Sequence, residues 1–273
     1  MSAINPSNNT KNDMIVALVQ KELKFSAILA SLCTDVSAFA VKGAKQIEFP
    51  KLSSFTAGTR AFGVAGAESV ITDTTDVLPL DKSAYLSYII DTKSALQSSL
   101  SWELETAKRA SSAHSRFVDN AVKDVLNSVG TPVGIAGDIS KTIVLEMRKK
   151  LKQANADMNQ VVLVVSAEQE AKLLNIDEFT RNDVYGSPVI MAGQVGRLYG
   201  IPCIVHNGLA DAEFFMFEKS GVAIGWQSAP AYGEAPAIEY GVGSVKRAID
   251  QLFGCAGMQL TAGLSPLVIK HGV

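Results

Sequence analysis

Apolar residues recur at steps of three and four over the longest uninterrupted stretch of the chain. Between Ser94 and Val129 they fall at Leu96, Leu100, Leu104, Ala107, Ala110 or Ser111, His114, Phe117, Ala121 and Val125. That spacing keeps one side of an α-helix apolar. Asp91 or Ser94 can cap its start, and Gly130 with Pro132 ends it. At about 1.5 Å per residue the helix would be about 50 Å long, a strut. An earlier helix is expected from about Asn12. Ile15, Leu18, Val19, Glu22, Leu23 and Ser26 share its mostly apolar face, and no Gly or Pro intervenes before Gly43. Residues 1–11 are polar and read as a mobile arm.

Period-two patterning appears between these helices. Two strand-like runs, Gln46 to Leu52 and Val70 to Leu80, flank a small-residue stretch from Thr56 to Gly66. Pro50 and Pro79 lack the donor a central strand needs, so both runs are expected at edges. An isolated hairpin is marginal in water, so another subunit is expected to cover this excursion. After the strut, a linker "GTPVGIAGD" leads to a helix, Ile139 to Ala154, with Asp138 as its cap. A buried strand, "QVVLVVSA", and a short helix, "EQEAKLLNI", follow. Next come a polar loop, residues 177–193, and a strand, Ile201 to Val205, where Gly200 sets the turn and Pro202 suggests an edge. "AEFFMFEKSGVAIGWQ" predicts a hairpin turned at Lys219-Ser220-Gly221, and two or three more strands follow Pro236.

Composition narrows the function. Charged residues make up 19% of the chain, against about 25% in average soluble domains. That agrees with surface lost to neighbouring subunits. A net charge of -2 gives no strong field toward nucleic acid or anionic membrane. The cluster Arg148-Lys149-Lys150 with Lys152 reads as a solvated helix face. Cys33, Cys203 and Cys255 stand far apart and form no CxxC pair, which excludes a disulfide framework and a zinc site and fits a reducing compartment. The polar start lacks the pattern of a signal peptide. No apolar run reaches the roughly 18 residues a membrane span needs.

Motifs for catalysis are missing. Gly193, Gly196 and Gly200 are spaced G-x-x-G-x-x-x-G and lead into a strand, whereas a dinucleotide loop is GxGxxG leading into a helix. No Walker loop and no GxSxG elbow occur. His114 sits on the apolar side of the strut and reads as a satisfied interior residue. His206 ends a strand beside the turn signal Asn207-Gly208, and His271 is near the C-terminus. A Cys203/His206 dyad fails because residues three apart on a strand face opposite ways. Asp73/Asp76 and Glu103/Glu105 read as solvated surface. No catalytic, cofactor-binding or metal-binding residue is expected.

Four stretches, in their order, resemble the major capsid proteins of tailed bacteriophages with the Hong Kong 97-type fold. They are "GAKQIEFPKL", "ITDTTDVLPLDKSAYLSYIIDTKSALQSS", "KKLKQANADMNQVVLVVSAEQEAKLL" and "GQVGRLYGIPCIVHNGL". "EFFMFEKSGVAIGWQ" agrees with the hairpin that follows the last of them. The likeness spans roughly Met14 to Ile269. It implies an α+β chain: an N-terminal arm and helix over 1–45, an extended E-loop hairpin over 46–90, a peripheral domain with a long spine helix over 91–130 and 230–273, and a central α/β A-domain over 131–229. It implies a structural protein that self-assembles through pentamers and hexamers into an icosahedral head shell around double-stranded DNA. Scaffolding and portal proteins are implied partners, with room for a decoration protein, and no membrane. Assembly would occur in the bacterial host cytoplasm, and DNA contact would be weak, through Lys21, Lys24 or residues 148–152. Lys51 and Lys82 hold cross-linking positions only by place, with no partner identifiable, so no cross-link is expected. An encapsulin-like nanocompartment shell is the alternative use of the fold, and an α/β enzyme using Gly193–Gly208 is the alternative outside it.

Overall fold

The structure is a computed structural model of the chain. It describes residues 27–52, 57–60, 62–66, 68, 73–91, 102–135, 137–175, 196–258 and 267–271. In chain order the elements are α1 (Ile28–Leu32), β1 (Thr34–Asp35), β2 (Gln46–Leu52), β3 (Asp73–Pro79), β4 (Lys82–Ile90), α2 (Trp102–Val129), β5 (Thr131–Pro132) and α3 (Lys141–Gln153). Then follow β6 (Val161–Val165), α4 (Ala167–Leu173), β7 (Arg197–Leu198), β8 (Ile201–Val205), β9 (Phe214–Glu218), β10 (Val222–Trp226), β11 (Ala231–Pro236), β12 (Val245–Gly257) and β13 (Val268–His271). They form two compact units. One takes the described residues up to Lys45 with Pro79–Asp124 and Ile224–Cys255; the other takes Gln46–Leu78, Val125–Ala223 and the described residues from Ala256 on.

In the first unit β12 is the organising strand. It runs antiparallel between β4 and β11 and also pairs with β10, whose other neighbour is β1. Alternate β12 side chains point inward: Arg247, Ile249, Gln251 and Phe253 are buried. These meet α2 rung by rung. Ile249 clusters with Ala110, Gln251 Oε1 lies 2.7 Å from His114 Nε2, and Phe253 meets Phe117 edge-on at 6.3 Å between ring centroids. Asp119, two residues further on, accepts the backbone N–H groups of Ile28 and Ala30 at 2.9 and 3.1 Å. Those are donors that a helix start leaves without partners of its own.

In the second unit the sheet order is β5-β13-β9-β6-β8-β7. All five residues of β6 are buried, as expected for a strand covered on both faces. Against one face lies α3, which presents Ile143, Val144, Met147 and Leu151 to Val161, Leu163, Val165 and Met216. The side chains of Ser140 and Ser166 cap α3 and α4, so the short helix starts where β6 ends. The excursion is a separate two-stranded sheet of β2 and β3.

Several expectations change. The expected first helix falls largely outside the described residues; within them it is not continuous, because a short helix starts anew at Ile28 after a non-helical Ala27 and stops at Leu32, and Thr34–Asp35 is already a strand. Residues 94–101 of the strut also lie outside, while its end at Val129 stands. Asp91 is held by Ser244 Oγ at 3.3 Å. The α3 cap is Ser140; Asp138 instead pairs with Lys172 at 2.7 Å. Pro202 is not at a sheet edge, because β8 lies between β6 and β7. Its missing donor is tolerated since β6 pairing begins only at Cys203 and β7 spans two residues. The turn at Lys219–Gly221 does not close a hairpin. It is a 3-10 turn after which β9 and β10 enter different sheets, and β13 fills the place beside β9. For the same reason β13 does not extend the sheet of β12. The strand β4 is an addition to the expected elements.

Two outcomes follow. Asp119→Ala, which leaves the α1 donors without their acceptor, should cost about 1–3 kcal/mol in chemical denaturation of the unassembled chain; an unchanged midpoint would remove the clamp from the account. Burial, opposed by the Gln251 hydrogen bond, holds the His114 pKa below its ordinary value. The unfolded chain therefore takes up the proton first, so stability should fall as pH drops through and below the usual imidazole range. His114→Gln should flatten that part of the stability–pH curve.

Candidate assembly surfaces

Residues with chemical potential are dispersed and committed to structure. His114 is paired as above. His206 closes the turn after β8, its Nδ1 accepting the Gly208 N–H at 3.1 Å. His271 stacks on Phe214 with ring centroids 4.3 Å apart. Cys203 Sγ lies 3.8 Å from the carbonyl of Ile201 on its own strand, so no Cys203/His206 dyad forms. Burial raises all three thiols, Cys203 to about 12 and Cys255 to about 11, and Cys33 as well. The thiolate is the reactive form, so these cysteines are structural. Among the described residues no group of three or more His, Cys, Asp or Glu could hold a metal ion, and no helix is long and apolar enough to cross a membrane.

The charged candidates are used locally. Lys51 and Asp76 form an ion pair across the β2–β3 hairpin, which occupies the first of the two candidate cross-linking lysines. The side chains of Asp73, Glu103 and Glu105 lie outside the described residues, as do Gly193, Lys21 and Lys24. In the basic cluster, Lys149 pairs with Glu146 at 3.3 Å. Lys150 Nζ donates to the carbonyls of Pro132 and Val133 at 2.9 and 2.8 Å, so its charge holds β5 beside α3. Hydrogen bonds from Lys172 and then Gln169 hold the Asp138 carboxyl below the usual carboxylate range. In the series Gly193, Gly196 and Gly200, Gly200 has φ +84°, the left-handed value of the tight turn between β7 and β8. A groove of about 780 Å³ in the first unit is shaped by Gln227, which donates to the carbonyls of Val41 and Ala44. That side chain holds backbone in place.

What remains exposed is apolar. The hairpin tip carries Phe62, fully exposed, and Val64, and the return strand carries Val77. In the first unit, the face of the sheet opposite α2 is open. Register places Ile89 beside Lys246, Ser87 beside Ala248 and Tyr85 beside Asp250, with Ala235, Gly233 and Ala231 on the far side of the same three β12 residues. Tyr85 and Ile89 are exposed, and so are Ala231, Gly233 and Ala235. The connection from β11 to β12 adds exposed Ile238, Tyr240 and Val242. Exposed apolar patches of this kind mark interaction sites. None of these positions stood out in the sequence. Period-two alternation in "KSAYLSYII" carries the signal for Tyr85 and Ile89; small residues in β11 carry none alone.

The described residues form a sheet with a long helix, a second sheet with flanking helices and a two-stranded excursion, with exposed apolar side chains on the excursion and on the first sheet. The chain belongs to the phage capsid protein family, which it matches over residues 40–247. Its fold is similar to a solved structure from Mycobacterium phage Che8 (TM-score 0.73, 20% identity, 89% of this chain and 90% of that one). It is also similar to the capsid structure of the cyanophage P-SCSP1u (0.70, 12%, 88% and 85%). A virus-like particle from Pyrococcus furiosus shares it too (0.64, 10%, 95% and 98%). Comparison with curated protein sequences gives no match. The fold is the Hong Kong 97-type capsid fold, and the protein is a structural component of a phage head shell.

The buried thiols give a direct check on the absence of cysteine chemistry. At pH 8 the folded chain should resist iodoacetamide over a time that alkylates all three cysteines in urea. Rapid modification of Cys203 or Cys255 in the folded chain would contradict their raised pKa values.

Proposed function

We propose that the shell is held together by laying the β2–β3 hairpin of one copy on the open sheet face of the next. The observation that carries this reading is a match of surfaces within one chain. A two-stranded excursion offers Phe62, Val64 and Val77, and a sheet face offers Tyr85, Ile89, Ala231, Gly233 and Ala235 on either side of Lys246, Ala248 and Asp250. Such a contact joins different patches on the two copies, so repetition closes rings and shells. Each contact can be modest, because many act together.

In this reading residues 1–45 form the arm and its helix, the β2–β3 hairpin within 46–90 the E-loop, 91–130 with β4 and 230–258 the peripheral domain, and 131–229 with β13 the central domain. The tips of the central domain would meet in pentamers and hexamers. The chain performs no catalysis. Scaffolding and portal proteins and a decoration protein are its proposed partners, assembly takes place in the host cytoplasm, and the finished shell encloses double-stranded DNA through weak contacts. With Lys149 and Lys150 engaged locally, the helix α3 contributes little to those contacts. The family match favours the phage head over an encapsulin-like compartment.

Gly233 supplies a clean test. A side chain at this position would enter open space, so Gly233→Glu should leave the fold intact and place a charge on the receiving face. Expressed with its scaffold, the wild-type chain should sediment as large particles, and Gly233→Glu should remain as small oligomers with unchanged circular dichroism. Intact shells from Gly233→Glu, or from a chain lacking residues 53–68, would rule out this contact.

A further inference from the structure

The turn after β8 contains a feature that shell building does not use. His206, Asn207, Gly208 and Leu209 form a turn closed by the Leu209 N–H on the His206 carbonyl at 3.4 Å. The His206 N–H donates to the Val165 carbonyl at 2.9 Å, which fixes the start of the turn to β6. His206 is buried and Asn207 is exposed. The imidazole folds back over the turn, so that Nδ1 accepts the Gly208 N–H at 3.1 Å. Only glycine permits this. A Cβ at position 208 would stand 2.6 Å from His206 Cε1 and 3.2 Å from Nδ1.

Asn-Gly is the dipeptide in which the following amide nitrogen meets least hindrance in attacking the asparagine side chain. Here that nitrogen carries its proton toward an imidazole nitrogen. A base must lie within about 2.6–3.2 Å of the group it deprotonates, and the observed distance meets that requirement. Accepting a hydrogen bond at Nδ1 places the ring's own proton on Nε2 in the neutral form.

We propose that Asn207 is a built-in deamidation site, with His206 as its general base. His206 Nδ1 takes the amide proton of Gly208 as the Gly208 nitrogen attacks Asn207 Cγ. A five-membered succinimide forms as the bond from Cγ to Nδ2 breaks. The departing nitrogen takes the proton back from the imidazolium and leaves as ammonia, so His206 is regenerated. Water then opens the ring at either carbonyl. Opening at one carbonyl leaves aspartate in the normal backbone. Opening at the other leaves isoaspartate, with one extra methylene in the backbone. Both products add a negative charge at the end of β8, and the second lengthens a turn that His206 and Leu209 hold closed.

The test uses the full-length folded chain. Samples are aged at 37 °C and the peptide carrying Asn207 is read by mass spectrometry for the gain of about one mass unit, with isoaspartate counted by enzymatic methylation. His206→Phe keeps a ring without a basic nitrogen, and His206→Gln keeps an acceptor without a base. General-base catalysis contributes at least about a hundredfold when fully expressed, so both variants should convert at least tenfold more slowly than wild type when folded. All three should convert at similar rates in urea, where the ring no longer holds the amide. Equal or faster conversion in the folded variants would overturn the proposal. Should neither variant fold, the wild type alone decides: retention of unmodified Asn207 in the native chain, while the urea-unfolded chain converts, would mean that the turn protects the residue.

Discussion

Between Ala110 and Phe117 the long helix and the long strand of the first unit run side by side. Seven helical steps rise about 10.5 Å, and the four strand steps from Ile249 to Phe253 about 13 Å, a difference that side-chain length can span. Ala110, His114 and Phe117 therefore meet Ile249, Gln251 and Phe253 in succession. The match fixes which face of β12 points inward, since a slip of one residue would turn Gln251 and Phe253 outward and present Asp250 and Leu252 in their place. With that face fixed, the opposite one is fixed as well. The open surface of Ala231, Gly233, Ala235, Tyr85 and Ile89 is the far side of the same register. A polar rung inside the ladder, His114 on Gln251, adds direction that an all-apolar seam would lack.

How far the sequence could be read depended on whether a signal was local. The strut was legible because its apolar residues recur along the chain itself, and the strands Gln46–Leu52 and Ile201–Val205 because proline and glycine punctuate them. The helix caps were half legible. Ser140 and Asp138 are both suitable, and only the position of Lys172, far along the chain, sends Asp138 elsewhere. Strand partners were the least legible. Phe214–Glu218 and Val222–Trp226 look like two arms of a hairpin, yet each finds a better neighbour in β13 or β12. The receiving surface escaped for a related reason. Alanines and a glycine in β11 become a floor only when β12 and β4 lie beside them.

The contrast between the two units also bears on assembly. Buried apolar side chains fill the second unit's sheet, where Val161–Val165 and Phe214–Phe217 are almost wholly inaccessible. The first unit spreads its inward contacts along one helix and keeps an open face. An interior such as that of the second unit resists deformation, while an open sheet face offers area to a neighbour. Near-neutral net charge and few charged residues then keep repulsion between many copies small.

The strand on which the first unit depends is made after every element it packs against. Its partners β4, β11 and α2, and the Asp119 that anchors α1, all precede Val245–Gly257 in the chain. Until a ribosome has released those residues, the inward face of α2 has no sheet to meet. Such late, non-local pairing slows folding. The open face of that sheet, which has β12 as its middle strand, is therefore complete only after β12 has paired with strands made before it.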